Sequence, residues 1–240
     1  MNLFKILGKL VPFATKLDIQ HKLGVPHMFW SIRNIQRLGF NPKYIIDAGA
    51  YNGEWTKDCL KIFPRAKILM IEGQESKKEQ LSKYTNKNIS LEIGLVGKEI
   101  GKKVKFINNE SNSNIFSKSS PSEYNRELTT INFLAQKNQF PQIDFIKLDI
   151  QGYELEALKG ASMYLPNIEV ILIEVSLIDI GNSGVPLIKE VIDYMFENNF
   201  VTYDICNTRI RRPLDHALWQ TDLIFVSKDS NLLKSTAYSN

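Results

Sequence analysis

A chain of 240 residues with 43% hydrophobic content can bury one sizeable core, and that length is usual for a single α/β domain. Its net charge of +4 is mild, and no run of five or more like charges marks a nucleic-acid tail, so no nucleic-acid partner is expected. No apolar run reaches the roughly 20 residues that span a bilayer, and Lys5, Lys9 and Lys16 interrupt the apolar N-terminus, so neither a spanning segment nor a secretory leader is expected. Cys59 and Cys206 lie far apart and form no C-x-x-C pair, which fits reduced thiols in a cytoplasmic protein.

Residues 1–40 read as an N-terminal helical extension. Leu3, Phe4, Ile6, Leu7, Leu10, Val11 and Phe13 recur at near-helical spacing with lysines between them. Such a helix packs on its own domain or on a second copy of the chain, or lies as a basic amphipathic helix on the inner face of an anionic membrane. Gly39-Phe40-Asn41-Pro42 is a turn signal. Behind it, residues 41–228 form an α/β domain, and 229–240 a tail. The predicted strands are Tyr44–Asp47, Ala66–Ile71, Ile89–Gly94, Phe145–Asp149, Val170–Val175, Val201–Ile205 and Asp222–Val226. Helical patterns follow the first two and the fourth and fifth. Near-continuous apolar strands alternating with helices predict a doubly wound, Rossmann-like sheet covered on both faces. The connection Asn207–Gln220 is too short for a helical crossover, so the last of the seven strands should run antiparallel. Between Ile107 and Ile143 the pattern breaks into an Asn/Ser-rich run, read as a surface loop or an active-site lid over 108–142, with a short helix around Leu128–Lys137.

The first strand runs into Asp47-Ala-Gly-Ala-Tyr-Asn-Gly53. Gly49 and Gly53 open backbone angles closed to other residues, Ala50 adds little bulk, and Asn52 completes a turn that faces the free N–H groups of the next helix. The dinucleotide fingerprint G-x-G-x-x-G is missing, and an Asp at the strand tip repels a pyrophosphate but suits a sulfonium or ammonium. The second strand ends at Glu72-Gly73, where a carboxylate can accept hydrogen bonds from ribose hydroxyls. S-adenosylmethionine fits both acids.

At these residues the chain resembles class I S-adenosylmethionine-dependent methyltransferases, whose first motif reads D-x-G-x-x-x-G with an acid closing the next strand. The segment Ile143-Asp-Phe-Ile-Lys-Leu-Asp-Ile-Gln-Gly-Tyr-Glu-Leu-Glu-Ala-Leu-Lys-Gly-Ala161 is similar to the FkbM signature D-x-I-K-x-D-x-[EQ]-G-x-E-x-x-x-L-x-G. The strands Ile171–Ser176 and Gln220–Val226 are similar to those that follow in that family. The resemblance implies the seven-stranded methyltransferase fold over 41–228 and a Ser-rich segment in which Ser111, Asn112, Ser113 and Asn114 line the inner face of a lid.

Ligands of open α/β sheets bind beyond the carboxyl ends of the strands, where Asp47, Glu72, Asp149 and Glu174 fall. Cofactor contact is assigned to Asp47, Gly49, Ala50, Asn52, Gly53, Glu72, Gly73 and Asp149. Asp47 would hold the methionine end, directly or through water, or else cap the following helix. Asp149 is the candidate general base, since a hydroxyl acceptor loses its proton as the methyl arrives. Two further catalytic candidates are Glu154, which equally suits its helix dipole, and His216, in the last connection. A divalent cation on Asp149 and Glu174 is an alternative, but no metal site is assigned. Arg209, Arg211, Arg212 and Lys228 can attract an anionic acceptor, and Trp30, Trp55 and Trp219 suit stacking or core packing. The expected activity is methylation of a hydroxyl on a sugar, a glycan precursor or another small metabolite. The rival readings are an NAD-dependent oxidoreductase and a non-catalytic S-adenosylmethionine-binding module attached to a glycan-assembly complex.

Overall fold

The computed structural model describes residues 11–25, 27–107, 123–181, 184–208, 210–235 and 237–238. The expected amphipathic stretch from Leu3 to Leu10, the lid residues Ser111 to Asn114, and Arg209 lie outside them.

The principal sheet contains β1 (Tyr44–Ala48), β2 (Lys67–Glu72), β3 (Ile89–Ile93), β7 (Phe145–Leu148), β8 (Val170–Ser176), β9 (Phe200–Ile205), β10 (Ile210–Arg211) and β11 (Leu218–Ser227). Its order is β10-β11-β8-β7-β1-β2-β3, with β9 also paired to β11. From β3 to β8 all neighbours are parallel, whereas β11 runs antiparallel to both β8 and β9. The reversed last strand is thus as expected.

The strand count is not as expected. The short connection after β9 folds back as β10, which pairs Arg211 with Leu218 at an N-terminal lengthening of β11. This makes an eighth strand, since unpaired backbone there would otherwise leave a ladder open. A separate small sheet in the order β4-β6-β5 joins β4 (Leu95–Val96), β5 (Lys103–Ile107) and β6 (Glu123–Thr129). Leu128 therefore belongs to a strand and not to the predicted helix. It pairs with Leu95 and packs, 2% exposed, with Phe106 and Tyr153. The helix starts at Ile131, where Thr130 Oγ1 accepts the Phe133 N–H at 3.1 Å, the bond that favours threonine as a cap.

Alternation along the strands divides the core into two layers. Ile46, Leu148, Ile171 and Ile173 face a layer completed by α5 (Ile131–Lys137), α6 (Glu154–Lys159) and α7 (Ile188–Glu197). Ile45, Phe145, Leu172 and Ile224 face the other. There α1 (Phe13–Lys22), α2 (Met28–Arg37) and α3 (Glu54–Ile62) supply Leu17, Phe29, Ile32, Ile35 and Cys59. The three-residue spacing of Phe29, Ile32 and Ile35 puts them on one side of α2, and His27 Nδ1 caps it by accepting the Phe29 N–H at 3.2 Å. A short helix, α4 (Lys78–Ser82), buries Leu81 in a cluster with Met70 of β2 and Ile89 of β3. His21 stacks on Trp30 with 3.6 Å between ring centroids, and Trp55 meets Phe145 edge to face, so both indoles serve packing. Cys59 and Cys206 are buried free thiols. Among the described residues no helix is long and apolar enough to cross a membrane.

Candidate active site

The second layer is apolar only as far as the carboxyl edge of the sheet. Two residues beyond Ile45 and Phe145 the same face carries Asp47 and Lys147, which are register neighbours across β1 and β7. Two residues beyond Leu172, and two before Ile224 on the reversed strand, it carries Glu174 and Asp222, again direct neighbours. The strand registers therefore convert one alternating pattern into a polar row at the carboxyl edge of the parallel strands.

Asp47 is fully buried. Thr56 Oγ1 donates to its Oδ2 at 2.6 Å, and Lys147 Nζ lies 3.1 Å from Oδ1, out of line for a hydrogen bond. The ammonium donates instead to Gly49 O at 2.7 Å and, more weakly, to Ala48 O at 3.4 Å. It also lies 3.7 Å from Asp149 Oδ2. Burial works against the charged amine, but Asp47 and then Asp149 hold it above the ordinary lysine value. The sequence alone assigns no role to Lys147, although it occupies the lysine position of the signature. Its signal was a lone cation inside an otherwise apolar strand.

The turn after β1 is bent by three positive φ angles, at Gly49 (80°), Tyr51 (48°) and Gly53 (77°). Gly49 and Ala50 N–H groups both donate to Ile71 O. The Tyr51 N–H reaches Glu72 Oε2 at 2.8 Å, and the Gln74 N–H reaches Oε1 at 2.8 Å. Burial pushes the Glu72 carboxyl up, opposed by these two amides. Each oxygen uses one acceptor position and keeps another, so the vicinal ribose hydroxyls of S-adenosylmethionine fit this carboxylate. Lys77 ties the turn from outside, with Nζ 3.0 Å from Asn52 Oδ1 and 3.7 Å from the centre of the Tyr51 ring. Gly73 O accepts from Arg126 Nη1 at 3.2 Å, which links β6 to the tip of β2.

Asp149 follows β7 directly, and its side chain is 40% exposed. Gln151 Nε2 bridges Asp149 Oδ1 at 3.1 Å and Glu174 Oε2 at 2.8 Å, and Gln220 Nε2 adds a bond to Glu174 Oε2 at 3.0 Å. Burial, then Asp149, Asp222 and Glu154, push Glu174 well above the usual carboxyl range. Asp222 is raised to about 6 by burial and then by Asp149. Trp219, in β11, stands one residue from Gln220 and is partly buried.

Glu154 turns inward. Its Oε1 accepts the Ile150 N–H at 2.9 Å and the Gly152 N–H at 3.1 Å, closing the turn in which Gln151 (φ 58°) and Gly152 (φ 100°) reverse the chain. Burial raises its carboxyl to about 7 against those amides. His216 sits exposed in the turn between β10 and β11, and its carbonyl accepts from Arg211 Nη1 at 2.9 Å. The structure thus gathers Asp47, Glu72, Asp149 and Glu174 at one edge, places Glu154 beneath the Asp149 turn, and leaves His216 facing solvent. Arg212 pairs with Asp215 and Lys228 covers the Phe196 ring.

Glu154 predicts a pH dependence of stability. A carboxyl raised when folded binds its proton more tightly than the unfolded chain, so its contribution is present below the ordinary carboxyl range and lost as pH rises through about 7. Thermal denaturation between pH 5 and 8 should show falling stability, with a Glu154 share of up to about 3 kcal/mol. Glu154→Gln, which keeps the acceptor oxygen, should flatten the fall. An unchanged slope in that variant would contradict the assignment.

The FkbM methyltransferase domain model matches residues 47–202. No curated protein matches the sequence. A provisionally assigned O-methyltransferase from Klebsiella pneumoniae is similar at 12% identity with a TM-score of 0.51, over 93% of this chain and 94% of that one. More distant likenesses are precorrin-6y C5,15-methyltransferase from Geobacter metallireducens and fibrillarin from Aeropyrum pernix in complex with S-adenosyl-L-methionine. The former has 10% identity, TM-score 0.45 and coverage of 82% and 86%; the latter has 12% identity, TM-score 0.41 and coverage of 78% and 67%. The Klebsiella likeness shows the Rossmann-like class I methyltransferase fold, and the matched segment carries the glycine turn, the acid at the tip of β2 and the whole β7–α6 signature. The chain therefore belongs to the FkbM family of methyltransferases.

Proposed function

We propose that this enzyme transfers the methyl group of S-adenosylmethionine to a hydroxyl oxygen of a small metabolite, with a sugar or glycan precursor as the acceptor class. The observation that carries the reading is the exposure of Asp149. Asp47, Glu72, Glu154 and Asp222 are each less than a tenth exposed, whereas the Asp149 side chain is 40% open at the ligand edge. The cofactor supplies an electrophilic methyl group. Glu72 binds the ribose, the turn from Gly49 to Gly53 seats the methionine end, and Asp149 accepts the hydroxyl proton as the new bond forms. Asp47, closed off by Thr56 and Lys147, acts on the turn from beneath. The family assignment sets aside the nicotinamide reading, for which the glycine fingerprint is also missing. Asp149 bonds to Gln151 and acts without a metal in this proposal.

Calorimetric titration with S-adenosylmethionine, S-adenosylhomocysteine and NAD, followed by product analysis on matched hydroxyl and amine acceptors, tests it. Binding of both adenosyl ligands but not NAD, methyl groups on oxygen, and a rate unchanged by dialysis against EDTA are expected. Methyl groups on nitrogen, or activity abolished by EDTA and restored by a divalent cation, would overturn it.

A further inference from the structure

We infer that Lys147 is a positioning residue that joins the cofactor turn to the Asp149 carboxylate, one buried ammonium fixing the turn and the exposed acid relative to each other. The inference rests on the reading of Asp149 as the base.

Lys147 is 5% exposed on a strand whose other residues, Phe145, Ile146 and Leu148, are fully buried. A cation in such a place persists only when it is paired and hydrogen-bonded. A structural partner for Asp47 would need no more than the contact at Oδ1. Instead the aligned hydrogen bond goes to Gly49 O, the carbonyl of the residue at φ 80° on which the turn pivots, and the same nitrogen lies 3.7 Å from Asp149 Oδ2. Turn and acid thus share one anchor. Its charge also has a task at Asp149. The groups facing that carboxylate are Glu154 from α6, Glu174 from β8 and Asp222 from β11, all acids, with the neutral Gln151 amide at 3.1 Å. Asp47 from β1 lies 3.1 Å from the same ammonium. Among the described residues Lys147 supplies the one cationic side chain in ion-pair range of Asp149, at 3.7 Å.

Lys147→Met, Lys147→Arg and the double variant Asp47→Asn/Lys147→Met should be titrated with S-adenosylhomocysteine by calorimetry, and kcat measured against pH. For Lys147→Met, affinity is expected to fall about tenfold and the ascending limb of kcat to move up by about one pH unit, the lower end of the effect of one nearby opposite charge. Lys147→Arg should return the limb towards the wild-type position, which a merely structural role would not do, because the larger group fills the site no better than methionine. Should Lys147→Met fail to fold, the double variant removes both buried charges and the same limb is read there. Wild-type affinity together with a wild-type limb in either folded variant would overturn the inference. Retention of full activity by Asp149→Asn is the separate result that would remove the base reading, and the anchor on the turn would then stand or fall on ligand affinity alone.

Discussion

Asp149→Asn is expected to lower kcat for methyl transfer by about 10²–10⁴-fold, the usual contribution of a positioned general base, while S-adenosylhomocysteine still binds. The substitution preserves volume and the Oδ1 acceptor for Gln151 Nε2, so the bridge to Glu174 survives. What disappears is the negative oxygen near Lys147, together with any capacity to take up the acceptor's proton. Steady-state rates and single-turnover measurements at several pH values separate the two effects. A base variant is slow in the chemical step, with the ascending limb abolished. A single-turnover rate equal to that of wild type would place proton removal elsewhere, and His216, exposed between β10 and β11, would be the next residue to change.

Gly49→Ala should have the largest effect on folding. A Cβ there would lie 1.8 Å from Asp149 O and 2.8 Å from Asp149 C, both backbone atoms of the neighbouring strand end, so no rotamer relieves the clash. The residue also holds φ 80°, where a side chain adds strain of about 1–3 kcal/mol. Overpacking adds another 1–3 kcal/mol or more. The sum is a large fraction of the roughly 5–15 kcal/mol that keeps a domain folded. We expect loss of soluble folded protein, or a denaturation midpoint lowered enough to abolish ligand binding. Gly53→Ala is the control, because its Cβ would meet a Tyr84 ring carbon at 2.9 Å, the far end of a side chain that can rotate away. Equal stability of the two variants in urea would show that β1 and β7 can separate at their ends without penalty, contrary to the packing described.

The turn and the acids at the strand tips were legible because parallel strands project their ends to one edge whatever the details of packing. The reversed last strand was legible from connection length alone. Less visible were contacts made across strands. Nothing in the order of residues reveals that Asp47 and Lys147 stand side by side, since that depends on the register between β1 and β7, set 100 residues apart in sequence. Glu154 reads equally as a catalytic acid and as a first-turn acid serving its helix dipole, and only the chain reversal at Gln151 and Gly152 brings two amides onto its carboxylate. The strand Glu123–Thr129 is not legible in the sequence, because Glu-Tyr-Asn-Arg-Glu-Leu-Thr holds one aliphatic residue, Leu128, too few to show an alternating pattern.

The position of β11 carries a practical consequence. That strand, residues 218 to 227, is last in sequence but stands between β8 and β9, so a piece ending at residue 202, where the family match stops, would strand β9 without the ladder it pairs with. At the other end, starting at residue 47 would strip Leu17, Phe29, Ile32 and Ile35 from the layer against Phe145, leaving an apolar sheet face wet. Homology and foldability therefore have different boundaries in this chain. Expression of the matched segment alone should yield aggregates, and domain exchange between relatives should cut before α1 and after β11.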